Sequence, residues 1–147
     1  MSERHTLYTA GYTGLRPNDL LRAAEALGAL VADIRIAPAS RNPLWRQKQL
    51  QGSLGSRYVH IGALGNRNFK GGYGDGIVIA DMESGAAQLD ALLQRQPVII
   101  LCACADYRAC HRKTVADFMA ERYGVGVVHL SAADIQRYAA GEQPIGF

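Results

Sequence analysis

Hydrophobic positions along this chain fall into two alternating rhythms. Short, nearly continuous apolar runs are separated by longer stretches in which apolar residues recur every three or four positions. The first run, residues 6–10 (TLYTA), predicts a strand ending at Gly11, with Tyr12-Thr13-Gly14 as a turn. Pro17 then suits a first helical position, with Asn18 and Asp19 in an acid-friendly first turn. Leu20, Leu21, Ala24 and Leu27 keep helical spacing as far as Gly28, a natural stop. Residues 29–36 (ALVADIRI) predict a buried parallel strand interrupted near its end by Asp33 and Arg35. A short helix is expected within 44–54, a third strand at 58–61, and a long glycine-rich loop over 62–76 that reads as a mobile lid. Residues 81–96 predict a helix with Leu89, Leu92 and Leu93 on one side, ended by Pro97. Residues 98–102 (VIILC) are the most strand-like run in the chain. A loop and helix follow over 106–124, with Val115, Phe118, Met119 and Tyr123 at core spacing. Then come a fifth strand at 125–130 and a closing helix at 132–140.

Strand alternating with helix predicts an α/β fold: a single three-layer Rossmann-like domain over residues 1–147. Its five-stranded sheet is mainly parallel, with helices on both faces and right-handed crossovers. A length of 147 residues is that of one ordinary domain, and no repeat or low-complexity tract interrupts it. With 48% hydrophobic and 20% charged residues, the composition excludes a disordered or collagenous chain. The longest apolar run, 97–104, is far short of the ~20 residues of a membrane span. Three cysteines and no signal-like leader predict a reducing, cytoplasmic setting.

Net charge is only +3, too mild to point strongly to a nucleic-acid partner. Lys48, Lys70 and Lys113 are the only lysines among sixteen basic residues; the rest are arginine, whose planar fork grips phosphate or carboxylate bidentately.

Ligands of open α/β sheets bind outside the carboxyl ends of the strands, and the chemistry of this sequence collects there. Tyr12 and Thr13 follow strand one; Asp33 and Arg35 end strand two, with Ser40 and Arg41 beyond; Arg67 follows strand three; Cys102 ends strand four; His129 ends strand five. Between strand four and its helix lies CACADYRACHR, three thiols with His111 and Arg112. A thiol at a helix N-terminus beside arginine has its thiolate stabilised, so Cys102 and Cys110 are candidate nucleophiles, with Asp33 and His111 as orienting or proton-transfer partners. The competing reading is that these thiols are small packing residues.

Two further readings of this segment weigh less. Cys102 and Arg108 have the spacing of a cysteine-phosphatase loop, but Asp106 would place negative charge at the phosphate. Zinc sites space cysteines by two to four residues and offer a second pair, whereas Cys102-x-Cys104 and the adjacent Cys110-His111 should point in different directions; no metal or cofactor is expected. His5 and His60 look structural. Tyr12, Thr13, Arg35, Ser40, Arg41, Arg67, Arg112 and His129 are the expected anion-binding set, and Asp33, Arg35, Arg41, Cys102, His111 and Arg112 are expected for the most part to line one cleft.

These residues also carry a family resemblance. Tyr8-Thr9-Ala10-Gly11-Tyr12-Thr13, Ala32-Asp33-Ile34-Arg35 with Pro38, Ser40, Arg41 and Asn42, Tyr58-Val59-His60, Leu64-Gly65, Leu101-Cys102, Cys110-His111-Arg112 and Val127-Val128-His129 together resemble the domain-of-unknown-function family 488 (DUF 488). Its most specific part is Cys102 followed eight residues later by Cys-His-Arg. Cys104 departs from the family pattern and Arg108 is not a family position, which weakens the phosphatase-loop reading further. The resemblance implies Rossmann-like layering and a shared polar pocket, but supplies no reaction. Two functions follow from the residues. One is a thiol-dependent hydrolase or transferase acting on a phosphate-bearing or other anionic small molecule, nucleotide-derived ones included. The other is a non-catalytic anion- or nucleic-acid-binding module with structural or redox-sensing cysteines. Sulfur transfer through a persulfide is a third, minor possibility. Oligomeric state is not legible.

Overall fold

The computed structural model describes residues 4–36, 42–67, 77–102 and 110–141. Five strands, β1 (Leu7–Gly11), β2 (Leu30–Asp33), β3 (Tyr58–His60), β4 (Val98–Cys102) and β5 (Val127–His129), alternate with five α-helices: α1 (Pro17–Leu27), α2 (Gln47–Leu54), α3 (Met82–Leu93), α4 (His111–Tyr123) and α5 (Ala132–Ala139). All strand pairs are parallel, in the order β3-β2-β4-β1-β5. The α/β expectation therefore holds. The order differs from the 3-2-1-4-5 sequence of a dinucleotide-binding sheet, because β4 is inserted between β2 and β1.

Alternation along the buried strands sorts the core into two layers. Leu7, Ala32, Val98, Ile100 and Cys102 face α3 and α4, packing on Ala86, Leu89, Leu93, Val115, Ala116 and Met119. Tyr8, Ala10, Val31, Ile99 and Leu101 face the opposite way, toward Leu20 and Ala24 of α1, Leu50 and Leu54 of α2, and Ile135 and Tyr138 of α5. Both faces of β4 are fully buried, which is why its sequence is continuously apolar rather than alternating.

The helix ends obey local chemistry. Pro17 opens α1, and Gly28 closes it in the left-handed region at φ 66°, where a Cβ is disfavoured. Asp81 accepts from the backbone N–H of Ser84 at the start of α3, and Ser131 and Asp134 cap α5 reciprocally. The helix expected over 44–54 is interrupted: a 3-10 turn at Pro43–Trp45 precedes α2, and Arg46 is extended between them. The expected strands at 29–36 and 125–130 shorten to their hydrogen-bonded centres. In the glycine-rich stretch, Gly62–Leu64 forms a 3-10 turn and Asn66 bridges to Ile79; the rest of the expected lid, 68–76, lies outside the described residues. No helix among the described residues is long and apolar enough to cross a membrane.

This topology positions the site. From β2 the chain leaves through α2 toward the edge strand β3, on one face; from its neighbour β4 it leaves through α4 toward β5, on the other. Adjacent strands whose connections diverge in this way open a crevice at their carboxyl ends.

Candidate functional site

Cys102 is the last residue of β4 and is completely buried on the α3/α4 face. Cys110 is the N-cap of α4, with extended backbone (φ −112°, ψ 148°), and His111 is the first helical residue. That change of backbone direction lets the side chains of two adjacent residues converge: Cys110 Sγ lies 3.7 Å from His111 Nδ1. The expectation that they point apart is therefore wrong, because it ignored the break between cap and helix. His111 Nε2 is 2.9 Å from the carbonyl oxygen of Ile34. A carbonyl only accepts, so Nε2 carries the hydrogen, and Nδ1 presents its lone pair to the Cys110 thiol in the neutral ring. Arg112, only 1% exposed, donates from Nη1 to Cys102 Sγ at 3.3 Å. The two sulfurs and an imidazole nitrogen all lie within 4.8 Å of one another.

The same face carries His129, whose Nδ1 lies 2.7 Å from Thr9 Oγ1. Thr9 and His129 are register partners in β1 and β5. Burial and the nearby Arg112 charge lower the His129 pKa below the usual histidine value, with Asp117 opposing. Thr9, a fully buried polar residue within an apolar strand, was missed by sequence reasoning; its signal was a lone hydroxyl in a run that faces the core on both sides.

Asp33 and Arg35 form a second cluster on the opposite face. Arg35 donates from Nε and Nη2 to the two carboxylate oxygens of Asp33 at 2.8 and 2.7 Å, and its backbone N–H donates to Oδ1. Tyr58 donates its hydroxyl to Asp33 Oδ2 at 2.7 Å. Burial, then the bond to the Asp33 carboxylate, push the Tyr58 phenol far above its ordinary pKa. The guanidinium carbon of Arg35 lies 5.4 Å from the ring centre of Tyr12, which stacks on buried Trp45 at 4.6 Å. Arg35 Nη1 is buried without a hydrogen-bond partner. Tyr58 and Trp45 were not anticipated; both fall on the Tyr12 side, where only tertiary contact reveals them.

Among the described residues, the expected site residues fall into two clusters. Asp33, Arg35 and Tyr12 sit with Tyr58 and Trp45 on the α1/α2 side, and Cys102, Cys110, His111 and Arg112 on the α3/α4 side, because Asp33 and Arg35 alternate away from Ala32 and Ile34. The backbone of Ile34 runs between the clusters: its N–H donates to Leu101 and its carbonyl accepts from His111. Thr13 and Arg67 are exposed. His60 Nε2 lies 2.7 Å from the Arg35 carbonyl oxygen. Ser40, Arg41, Cys104 and Arg108 lie outside the described residues.

The fold and the site define an α/β protein with a buried thiol–imidazole–guanidinium cluster at the carboxyl end of β4. Residues 67–119 match the family described as "Domain of unknown function DUF488", in keeping with the resemblance read from the motifs. The matched stretch holds β4, Cys102, Cys110, His111 and Arg112, and not Tyr12, Asp33, Arg35 or His129. No curated protein and no solved structure matches the chain.

Proposed function

We propose that this chain is a thiol-dependent transferase or hydrolase acting on an anionic small molecule, phosphate-bearing or nucleotide-derived, with Cys110 as nucleophile and His111 as its base. The observation that carries this reading is the relay from Cys110 Sγ through His111 Nδ1 and Nε2 to the Ile34 carbonyl: a thiol, a base and a group that orients the base. Nδ1 takes the thiol proton as sulfur attacks the electrophilic centre. The bond to the leaving group breaks as the sulfur bond forms, and the imidazolium returns that proton to the leaving group. The N-terminus of α4 and Arg112 put positive potential at the sulfurs and at an incoming anion. Asp33, which already accepts four hydrogen bonds, orients Arg35 rather than serving as a base, and the unpartnered Nη1 of Arg35 is a separate anion contact on the opposite face. The cytoplasm is the compartment in which such thiols stay reduced.

A second reading rests on burial: Cys102 and Cys110 are 0% and 2% exposed within the hydrophobic core, as packing thiols of a non-catalytic anion-binding module would be. Alkylation of the metal-free native chain across pH separates the two. The enzyme reading expects a Cys110 thiol titrating well below ~8.5, the ordinary value, and a neutral-pH rate that falls at least about tenfold in His111→Ala. Sluggish alkylation with no dependence on His111 replaces it by the binding module.

A further inference from the structure

We propose that Cys102, Cys110 and His111 constitute a three-ligand site for zinc, with a fourth position left for water or an exogenous ligand. Among the described residues, no other group of His, Cys, Asp or Glu side chains brings three ligand atoms together in this way. A tetrahedral ion with Zn–S bonds of about 2.3 Å and a Zn–N bond of about 2.0–2.1 Å separates its ligand atoms by roughly 3.6–3.8 Å. Cys110 Sγ and His111 Nδ1 already stand 3.7 Å apart, and all three ligand atoms lie within 4.8 Å, so a contraction of about an ångström completes the site.

Two further contacts fit metal ligation. A histidine that binds metal through one nitrogen usually donates the other N–H to a carboxylate or a backbone carbonyl, which fixes the ring and its tautomer. His111 Nε2 and the Ile34 carbonyl make that bond at 2.9 Å, leaving Nδ1 toward the sulfurs. The Arg112 guanidinium donates to Cys102 Sγ, an outer-shell hydrogen bond to a prospective thiolate. On binding, zinc displaces the two thiol protons and two S–Zn bonds and one N–Zn bond form; no electron changes hands. Two thiolates neutralise the ion, and the buried Arg112 charge keeps the site receptive to an anion in the fourth position.

The inference does not rest on thiol catalysis, since a protein whose cysteines attack nothing can bind zinc through them. The two are tested on different forms: thiol reactivity on the metal-free chain, metal binding on the loaded one. The full chain, reduced and stripped by a chelator, is titrated with Co2+ and then with Zn2+ in competition. One Co2+ per chain is expected, with intense tetrahedral d–d bands and thiolate-to-cobalt charge transfer. Zinc should abolish these bands and protect Cys102 and Cys110 from iodoacetamide. Cys102→Ser and His111→Gln should each weaken binding by at least about tenfold. A weak octahedral spectrum without charge transfer, or unprotected thiols in the zinc-loaded chain, overturns the proposal. Should a variant fail to fold, X-ray absorption of the zinc-loaded native chain decides: two sulfurs at about 2.3 Å and one nitrogen at about 2.0–2.1 Å support the site, and a shell of oxygen and nitrogen alone refutes it.

Discussion

His111 Nε2 and the carbonyl oxygen of Ile34 are 2.9 Å apart although 77 residues separate them in sequence. This contact ties the first residue of α4 to the backbone just past β2, between two adjacent strands whose connections leave on opposite faces. It fixes the imidazole tautomer, and its partner residue separates two polar clusters on opposite faces of the sheet. The geometry of the thiol site thus depends on how accurately the strand end of β2 is held.

Gly65 is one of the residues that hold it. A Cβ at this position would stand 2.5 Å from Ile36 Cα and 2.6 Å from its backbone nitrogen, two residues beyond Ile34. Backbone cannot rotate aside, so Gly65→Ala should cost about 1–3 kcal/mol or more. At Gly85 the added methyl meets the Leu64 side chain at 2.5 Å instead, and α3 gains roughly 1 kcal/mol of helix propensity in return. Urea unfolding should show a clearly lower midpoint for Gly65→Ala than for Gly85→Ala; the reverse order would show that Ile36 yields.

Buried Asp33 and Arg35 are the most consequential ion pair for stability. Asp33→Asn leaves the guanidinium buried without its counter-charge and should cost about 3–5 kcal/mol. Tyr58→Phe removes one hydrogen bond to the carboxylate and should cost about 1.5–3 kcal/mol. Because folding raises the Tyr58 pKa, its contribution is complete below the unfolded value near ~10 and is lost as pH rises toward the folded value. Burial also raises Tyr8 and Tyr138. Denaturant midpoints measured at increasing alkaline pH should therefore fall in the native chain and fall less steeply in Tyr58→Phe. Identical slopes would remove Tyr58 from the account.

His129 titrates in the opposite sense. Its folded pKa is lowered, so its contribution to stability is present above the unfolded value near ~6.5 and is lost as pH falls through the folded one. An NMR titration should place its midpoint below ~6.5, and Arg112→Met should raise it by removing the neighbouring cation. A midpoint unmoved by that substitution would remove Arg112 from the account.

Anion binding is read most simply as thermal stabilisation by phosphate, through linkage. The phosphate-induced rise in Tm should shrink in Arg112→Ala and in Arg35→Ala, which remove arginines from separate clusters, and persist in full in Arg95→Ala, whose side chain is exposed just beyond α3. Because each variant is compared with itself with and without phosphate, lost stability does not confuse the comparison. Equal loss in all three would assign the effect to general surface charge.

The α/β architecture was legible because buried parallel strands and amphipathic helices carry different periodicities, and Pro17, Gly28 and Gly124 mark helix ends by backbone constraints that act locally. Strand-end placement of Asp33, Arg35, Cys102, Cys110, His111 and Arg112 followed from the same alternation. Strand order was not legible: pairing β4 between β2 and β1 is decided by which apolar faces bury best together, a property of the whole sheet.

The sequence by itself determined which residues reach the carboxyl ends of the strands, since that follows from period and chain direction alone. Only the tertiary structure decided which of them meet. Alternation sends Asp33 and Arg35 to one face and Cys102 to the other, and long-range contacts then add Tyr58 and Trp45 to the first cluster and Thr9 and His129 to the second face. The convergence of Cys110 and His111 depends on an extended cap meeting the first turn of a helix, and His111 on a carbonyl from a distant strand. Local pattern carries no information about a partner supplied by another element, because that distance is set by the packing of α4 on the sheet.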